Sequence, residues 1–122
     1  IKYIEPEIIF HLAAQSIVGT SYKYPETTFE TNFNGTLNIL SISTKLKKLK
    51  SIVIITSDKC YQNLNKKNYF IETDPLGGDD PYSESKGASE ILFNSYLKSF
   101  FYKKKLAQQL QGQVMLLGAE IG

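Results

Sequence analysis

The sequence predicts an α/β protein built on part of a doubly wound parallel sheet. Short β-branched runs alternate with longer helical patterns in the order strand, helix, strand, helix, strand. The run SIVIIT is apolar throughout, as in a strand buried on both faces of a parallel sheet. The 122 residues allow a single hydrophobic core. Because parallel strands are joined by crossovers, their carboxyl ends share one edge, where ligands bind in such sheets.

The first strand and helix come from the first half of the chain. The run IIFHLAA begins at Ile8 and ends in small residues, which predicts a strand that opens into a loop. A long helix is predicted from about Pro25 to Lys48, since proline suits a first helical turn and Glu26 suits the amino-terminal dipole. Its apolar positions recur at helical spacing: Phe29, Phe33, Leu37 and Leu40.

The remaining elements follow in the same order. The second strand is SIVIIT. Residues 61–80 carry turn residues throughout, which predicts a long loop after this strand. A second helix is predicted from Pro81 to about Lys103, and a third strand from Val114 to Leu117. The second helix has an apolar side made of Ala88, Ile91, Leu92, Tyr96 and Phe100.

Composition favours a soluble protein. The chain is 42% hydrophobic and 21% charged with a formal charge of +2, and no apolar run approaches the roughly 20 residues of a membrane span. The lysine runs at 45–50 and 103–105 are interpreted as helix ends; the alternative, nucleic-acid binding, usually takes a broad basic face. Cys60 is the single cysteine, so we expect no internal disulfide, and the cytoplasm is the expected compartment. No residue cluster has metal-ligand spacing, so no metal is expected.

Tyr82 and Lys86 lie four residues apart at the predicted start of the second helix. That spacing places a phenol and an ammonium on one helix face. A nearby ammonium stabilises the phenolate, which makes a tyrosine usable as an acid or base. Taken alone, the same spacing also describes an exposed tyrosine and lysine at a helix start.

The motifs together resemble the extended short-chain dehydrogenase/reductase family. The similar segments are PEIIFHLAAQ, TFETNFNGTLNIL, TSDKCY and DPLGGDDPYSESKGASE, with Tyr-x-x-x-Lys placed 25 residues after Ser57. Within that family the sequence most resembles the CDP-glucose 4,6-dehydratases, and the resemblance covers about residues 5–101. The resemblance implies a Rossmann-like domain, NAD as cofactor and a nucleotide-sugar substrate. It also implies a homodimer or higher homo-oligomer for the intact enzyme.

The resemblance also implies roles for the residues around the second strand's end. A 4,6-dehydratase oxidises C4 of the sugar with NAD, removes the C5 proton, expels the C6 hydroxyl and returns the hydride to C6. By this likeness Tyr82 takes the C4 hydroxyl proton, and Ser57 hydrogen-bonds the same hydroxyl. Lys86 lowers the pKa of Tyr82 and holds the nicotinamide ribose. Asp58 is then the general acid at C6. Lys59, where the dTDP-glucose members have a second acid, is the candidate base at C5 if it is desolvated.

Three further residues are assigned to the cofactor by the same likeness. Ala13 and Ala14 let NAD approach the end of the first strand closely. Asn32 corresponds to an asparagine near the catalytic lysine, and its alternative is a structural asparagine bonded to backbone. His11 is left out of the catalytic set, because packing and a hydrogen bond explain it equally well.

The sequence also departs from the family. No Gly-x-x-Gly-x-x-Gly turn is present, and the residues from 110 to 120 lack the family's Arg-x-Gly-Asn-Val and Asp-Trp. We therefore expect the 122 residues to be one fragment of the NAD-binding domain, without its amino-terminal nucleotide-binding half and the carboxyl-terminal substrate domain. Alone it is expected to be inactive. The alternatives are a 4-epimerase or other sugar-nucleotide dehydrogenase of the same family, and a non-catalytic remnant that acts as an interaction or structural protein.

Overall fold

A computed structural model describes residues 3–62, 65, 69–102 and 116–117. Three parallel strands form one sheet in the order β1-β2-β3, with β1 at Ile8–His11, β2 at Ser51–Ile55 and β3 at Leu116–Leu117. Ile8 pairs with Ser51 at one end of the sheet and Ile55 with Leu117 at the other. The predicted strands and their parallel order are confirmed, while Val114 and Met115 lie outside the described residues.

The helices lie between these strands along the chain. They are α1 at Val18–Lys23, α2 at Pro25–Phe29, α3 at Gly35–Ser43 and α4 at Pro81–Tyr96. A π-helical turn at Glu30–Asn34 joins α2 to α3, and a second one at Leu97–Phe101 extends α4. The helix α1 was not predicted, because its six residues, VGTSYK, carry no apolar repeat. Among the described residues, no helix combines the length and apolar character needed to span a bilayer.

The first long helix ends earlier than predicted. It stops at Ser43 rather than Lys48, so the lysines at 45–50 lie on the connection to β2 and not at a helix end. Leu46 and Leu49 turn into the core there, and the Glu5 carboxylate accepts the backbone N–H of Lys47 at 2.9 Å. These contacts stabilise a turn where the helix would otherwise continue. The lysines at 103–105 lie outside the described residues.

The buried face of this helix is also offset from the predicted one. Phe29, Phe33 and Leu37 are only partly buried. The buried positions are mostly small and polar: Thr28, Asn32, Thr36, Leu40 and Ser43. Their hydroxyls bond back to the helix, as when Thr36 Oγ1 donates to the Asn32 carbonyl at 2.7 Å, so burial leaves no polar atom unpaired. The same offset occurs on α4, where Ile91 and Phe100 of the predicted side are exposed.

The hydrophobic core lies against one face of the sheet. Ile52 and Ile54 of β2 point into it, whereas Val53 and Ile55 on the other face are partly exposed among the described residues. The prediction that β2 is fully buried on both faces is therefore wrong for this part of the chain, because the described helices cover only one face. The core consists of Ile9, Leu40, Leu46, Leu49, Ile52, Ile54, Phe93 and Phe101.

The two ends of the long loop predicted after β2 are joined by backbone contacts. Tyr61 forms an isolated antiparallel bridge with Leu76, and the Gln62 N–H donates to the Pro75 carbonyl at 2.8 Å. The Tyr61 ring stacks on Phe70 with ring centres 5.0 Å apart. These contacts bring the chain back to the sheet edge just before α4 begins.

Candidate functional site

The start of α4 is fixed by a well-formed amino-terminal cap. Asp80 precedes the helix, and its carboxylate accepts the Ser83 N–H at 3.0 Å and the Ser83 hydroxyl at 2.6 Å. Pro81 occupies the first helical turn. The cap therefore sets the position of Tyr82, which is the second residue of the helix and is buried.

Two glycines let α4 pack closely on the segment that follows β2. A Cβ at Gly87 would lie 3.2 Å from the Cys60 carbonyl oxygen, so the helix nearly touches the 3-10 turn at Asp58–Cys60. A Cβ at Gly78 would lie 2.2 Å from the Ser83 Cβ, which no side chain can occupy. The helix that carries Tyr82 and Lys86 is thus held directly against the turn that carries the predicted acid.

Ser57 caps that turn, and Asp58 and Lys59 are its first two residues. The Ser57 hydroxyl oxygen accepts the Lys59 N–H at 3.3 Å and donates its proton to Asp58 Oδ1 at 3.1 Å. Ser57 is buried, Asp58 is half-buried and the Lys59 side chain is exposed. One lone pair of the Ser57 oxygen stays available to a ligand. The desolvation that a basic role for Lys59 requires is not provided by the described residues.

Lys86 lies under the end of β2. Its side chain is only 6% exposed, and Nζ donates to the Ile55 carbonyl oxygen at 3.4 Å. Burial lowers the pKa of Lys86, while the carboxylate of Glu90, one turn further along α4, acts in the opposite direction. The structure therefore places Ser57, Tyr82 and Lys86, which the sequence predicts to act together, among the buried residues around one strand end.

Asn32 connects the loop after β1 to α4. Its Oδ1 accepts the Gln15 N–H at 2.8 Å, and its Nδ2 donates to the Gln15 carbonyl at 3.0 Å and to Ser85 Oγ at 2.9 Å. These are three of the four hydrogen bonds that an amide can make. We call this set the Asn32 clasp. It agrees with the structural alternative for Asn32, and its assignment to a cofactor stays a prediction.

The residues predicted to meet NAD lie beside this clasp. Ala13 is exposed and Ala14 is half-buried, in the loop between β1 and α1. Their side chains end at Cβ, so a flat ligand could approach the backbone closely. Lys86 and Tyr82 supply a cation and a hydroxyl, which are suitable donors for ribose oxygens. These residues fit the nicotinamide-ribose end of a dinucleotide.

Sequence reasoning missed a set of buried polar residues around Lys86. His11 Nε2 lies 3.3 Å from Thr36 Oγ1, and the Thr56 hydroxyl donates to the Glu90 carboxylate. Burial and the Lys86 charge lower the pKa of His11, and burial raises the pKa of Glu90. The signal for Glu90 was its place four residues after Lys86 in SKGASE. In the described part of the chain, no three His, Cys, Asp or Glu side chains come together as a metal site.

Cys60 is buried next to this set. Burial raises the pKa of its thiol to about 12, and the Glu90 carboxylate adds to the effect. A thiol with so high a pKa is a poor nucleophile near neutral pH. Its environment gives no support to a catalytic role.

A protein-family model described as GDP-mannose 4,6 dehydratase matches residues 1–105. The chain belongs to this family. Over 101 residues it is 44% identical to the CDP-glucose 4,6-dehydratase of Salmonella typhimurium, a match that covers 83% of this chain and 28% of that protein. The GDP-mannose 4,6 dehydratase family thus accounts for the motifs at the ends of β1 and β2 and at the start of α4.

Solved structures agree with this membership. The dTDP-glucose 4,6-dehydratase of Streptomyces venezuelae, solved with NAD bound, has a TM-score of 0.71 at 26% identity, with 77% of this chain and 29% of that one covered. The UDP-glucose 4-epimerase of Thermus thermophilus, also in complex with NAD, has a TM-score of 0.72 at 28% identity, with 80% and 32% covered. The Rossmann-like fold and the resemblance to the extended short-chain dehydrogenase/reductase family are confirmed. The chain spans about 30% of the length of these proteins.

Proposed function

We propose that this chain is the catalytic region of an NAD-dependent lyase that converts CDP-glucose to CDP-4-keto-6-deoxyglucose. The observation that carries the proposal is the packing of the Tyr82–Lys86 helix on the Ser57–Asp58–Lys59 turn. The choice of CDP-glucose rests on the 44% identity to the Salmonella typhimurium enzyme. NAD is proposed because both related structures above contain it.

When bound, NAD would take up hydride from C4 of the sugar and later return it to C6. Tyr82 accepts the C4 hydroxyl proton as a phenolate, the form that the Lys86 ammonium stabilises before the transfer. Ser57 can turn its hydroxyl proton from Asp58 to the C4 oxygen, which leaves the single proton of the C4 hydroxyl directed at Tyr82. These three residues prepare C4, and the 4-keto group that results makes the C5 proton acidic.

Elimination uses the remaining two residues of the turn. Asp58, which is half-buried beside Ser57, donates a proton to the departing C6 oxygen. Lys59 removes the C5 proton, which requires that bound sugar cover its exposed ammonium and favour the neutral amine. Asp58 and Lys59 therefore distinguish a dehydratase from an enzyme that only oxidises and reduces C4.

A 4-epimerase of the same family is the second candidate. This candidate is favoured because the Thermus thermophilus 4-epimerase and the Streptomyces venezuelae dehydratase match the chain equally well, with TM-scores of 0.72 and 0.71. An epimerase would use Tyr82 and Lys86 but would not need Asp58 and Lys59. The product decides between the two: a dehydratase releases water and an epimerase yields an isomer of the same mass.

The test is a chimera in which residues 1–105 replace the matching segment of the Salmonella typhimurium enzyme. We expect it to convert CDP-glucose to a product that has lost one water by mass spectrometry, and Tyr82→Phe should abolish the reaction. Asp58→Asn should slow elimination while C4 oxidation continues, seen as accumulated NADH. Asp79→Asn removes an exposed carboxylate before α4 and is the matched control. Because the Salmonella typhimurium enzyme supplies the flanking segments, this assay tests which reaction the chain catalyses. It does not test which nucleotide the sugar substrate carries.

Three outcomes would contradict the proposal. A chimera that yields only an isomer would favour the epimerase. Full dehydration by Asp58→Asn would remove Asp58 from the general-acid role. A folded chimera that binds NAD without turnover would favour the non-catalytic alternative.

We also propose that the intact enzyme is a homodimer or higher homo-oligomer. In support, α4 and the π-helical turn that extends it keep apolar residues at the surface, among them Ile91 and Phe100, which are 60% and 44% exposed. Self-association would cover such residues. Sedimentation of the chimera, compared with the donor enzyme, tests this.

A further inference from the structure

Glu90 is a buried carboxylate for which the reaction above has no role. It lies on α4 one turn after Lys86, and its side chain is 7% exposed. The Thr56 hydroxyl, just past the end of β2, donates a hydrogen bond to Glu90 Oε1. A buried carboxylate is costly unless it is paired or hydrogen-bonded, so its position calls for a physical reason.

Among the described residues, Glu90 is the one carboxylate found to act on the pKa of Lys86. On β1 the facing group is His11, whose pKa is lowered by burial and by Lys86, which favours the uncharged imidazole. On the turn after β2 it is Cys60, whose pKa is about 12, so the thiol is neutral as well. On α3 the uncharged Thr36 lies against His11. On α4 itself the neighbours one turn away are Tyr82 and Glu90.

Spacing and burial place Glu90 where it can act on Lys86. Residues four apart on a helix are neighbours on its surface, and here both side chains point inward. Removing water from both charges strengthens their attraction. The hydrogen bond from Thr56 keeps the carboxylate from rotating away and favours its ionised form.

We propose that Glu90 is a positioning residue that keeps Lys86 an ammonium beneath Tyr82, with Thr56 holding the Glu90 carboxylate in place. The catalytic consequence rests on the function proposed above, whereas the effect on Lys86 itself does not. Without Glu90, a buried lysine would lose its proton at lower pH. It would then no longer stabilise a phenolate at Tyr82.

The first test measures Lys86 directly in the chain. Lysines labelled with ¹³C at the ε-carbon are titrated by NMR, with Lys86→Arg to assign the resonance. Glu90→Gln keeps an acceptor for Thr56 and removes the charge; we expect it to lower the titration midpoint of Lys86 by about one unit or more, a tenfold loss of ammonium. Thr56→Val should lower it less. Glu84→Gln, which removes an exposed carboxylate from the same helix, should leave it unchanged.

The second test uses the pH profile of the chimera. If the active form needs the Lys86 ammonium, the alkaline limb of kcat/KM moves to lower pH in Glu90→Gln and stays in place in Glu84→Gln. An unchanged Lys86 midpoint in Glu90→Gln, or an equal shift in Glu84→Gln, overturns the inference. A shifted midpoint in a chimera that dehydrates no substrate supports the inference and overturns the proposed function instead.

Discussion

The Asn32 clasp should be a main source of stability where β1 opens toward α4. Replacing Asn32 by alanine removes three hydrogen bonds of 2.8–3.0 Å from a side chain that is 2% exposed. Each such bond contributes about 0.5–1.5 kcal/mol to the free energy of unfolding. Ser85 keeps its bond to the Tyr82 carbonyl at 2.7 Å, and half-buried Gln15 can rehydrate, so we expect a loss of about 2–3 kcal/mol.

Urea unfolding followed by circular dichroism measures this loss. Asn38→Ala is the control, because Asn38 is an exposed asparagine on the neighbouring helical segment α3. That variant should change stability by no more than about 0.5 kcal/mol, and in the stabilising direction, since alanine is the better helix former. Hydrogen exchange adds a local readout: the Gln15 amide should exchange faster in Asn32→Ala. Equal unfolding midpoints for the two variants, or unchanged exchange at Gln15, would refute the reasoning.

Two further predictions concern the packing of α4 and the pH dependence of folding. Gly78→Ala should destabilise the fold by several kcal/mol, as overpacking of a core site does, because the new Cβ would lie 2.2 Å from the Ser83 Cβ. Gly19→Ala should instead stabilise α1 by about 0.5–1 kcal/mol, because a Cβ at Gly19 would have no atom within 4 Å. Thermal melts of the two variants check both expectations. Because the folded pKa of His11 lies below 6.5, the unfolded chain binds a proton that the fold excludes, so stability should fall as pH drops through 6.5. His11→Gln should flatten that part of the melting-temperature profile, and a variant profile parallel to the wild type would contradict the assignment.

The order of strands and helices could be predicted because strands and long helices leave strong patterns. The core runs around Ile9 and Ile54 are continuous and β-branched, so the parallel sheet followed from them. The buried face of the first long helix could not be predicted from hydrophobicity, because Thr28 and Thr36 are buried as polar residues that bond to their own helix. Apolar residues beside them are left nearer the surface.

The same distinction applies to the candidate site, where some residues could be predicted from the sequence and others could not. Tyr82, Lys86 and Ser57 carry their chemistry in the sequence at recognisable spacing, so they could be assigned before the fold was known. Glu90 could not, because a glutamate near the middle of a helix usually faces solvent. Its burial depends on Thr56, which lies 34 positions earlier and meets it only through tertiary packing.

The contacts at the base of the long loop after β2 separate the tip of that loop from the start of α4. The bridge between Tyr61 and Leu76 and the bond from Gln62 to Pro75 fix both ends of the loop, so its tip can change length without moving the start of α4. Doubling the length of a flexible loop costs only about 0.6 kcal/mol in closure entropy. The tip beyond this closure is therefore the natural place to insert an affinity tag or a fluorophore.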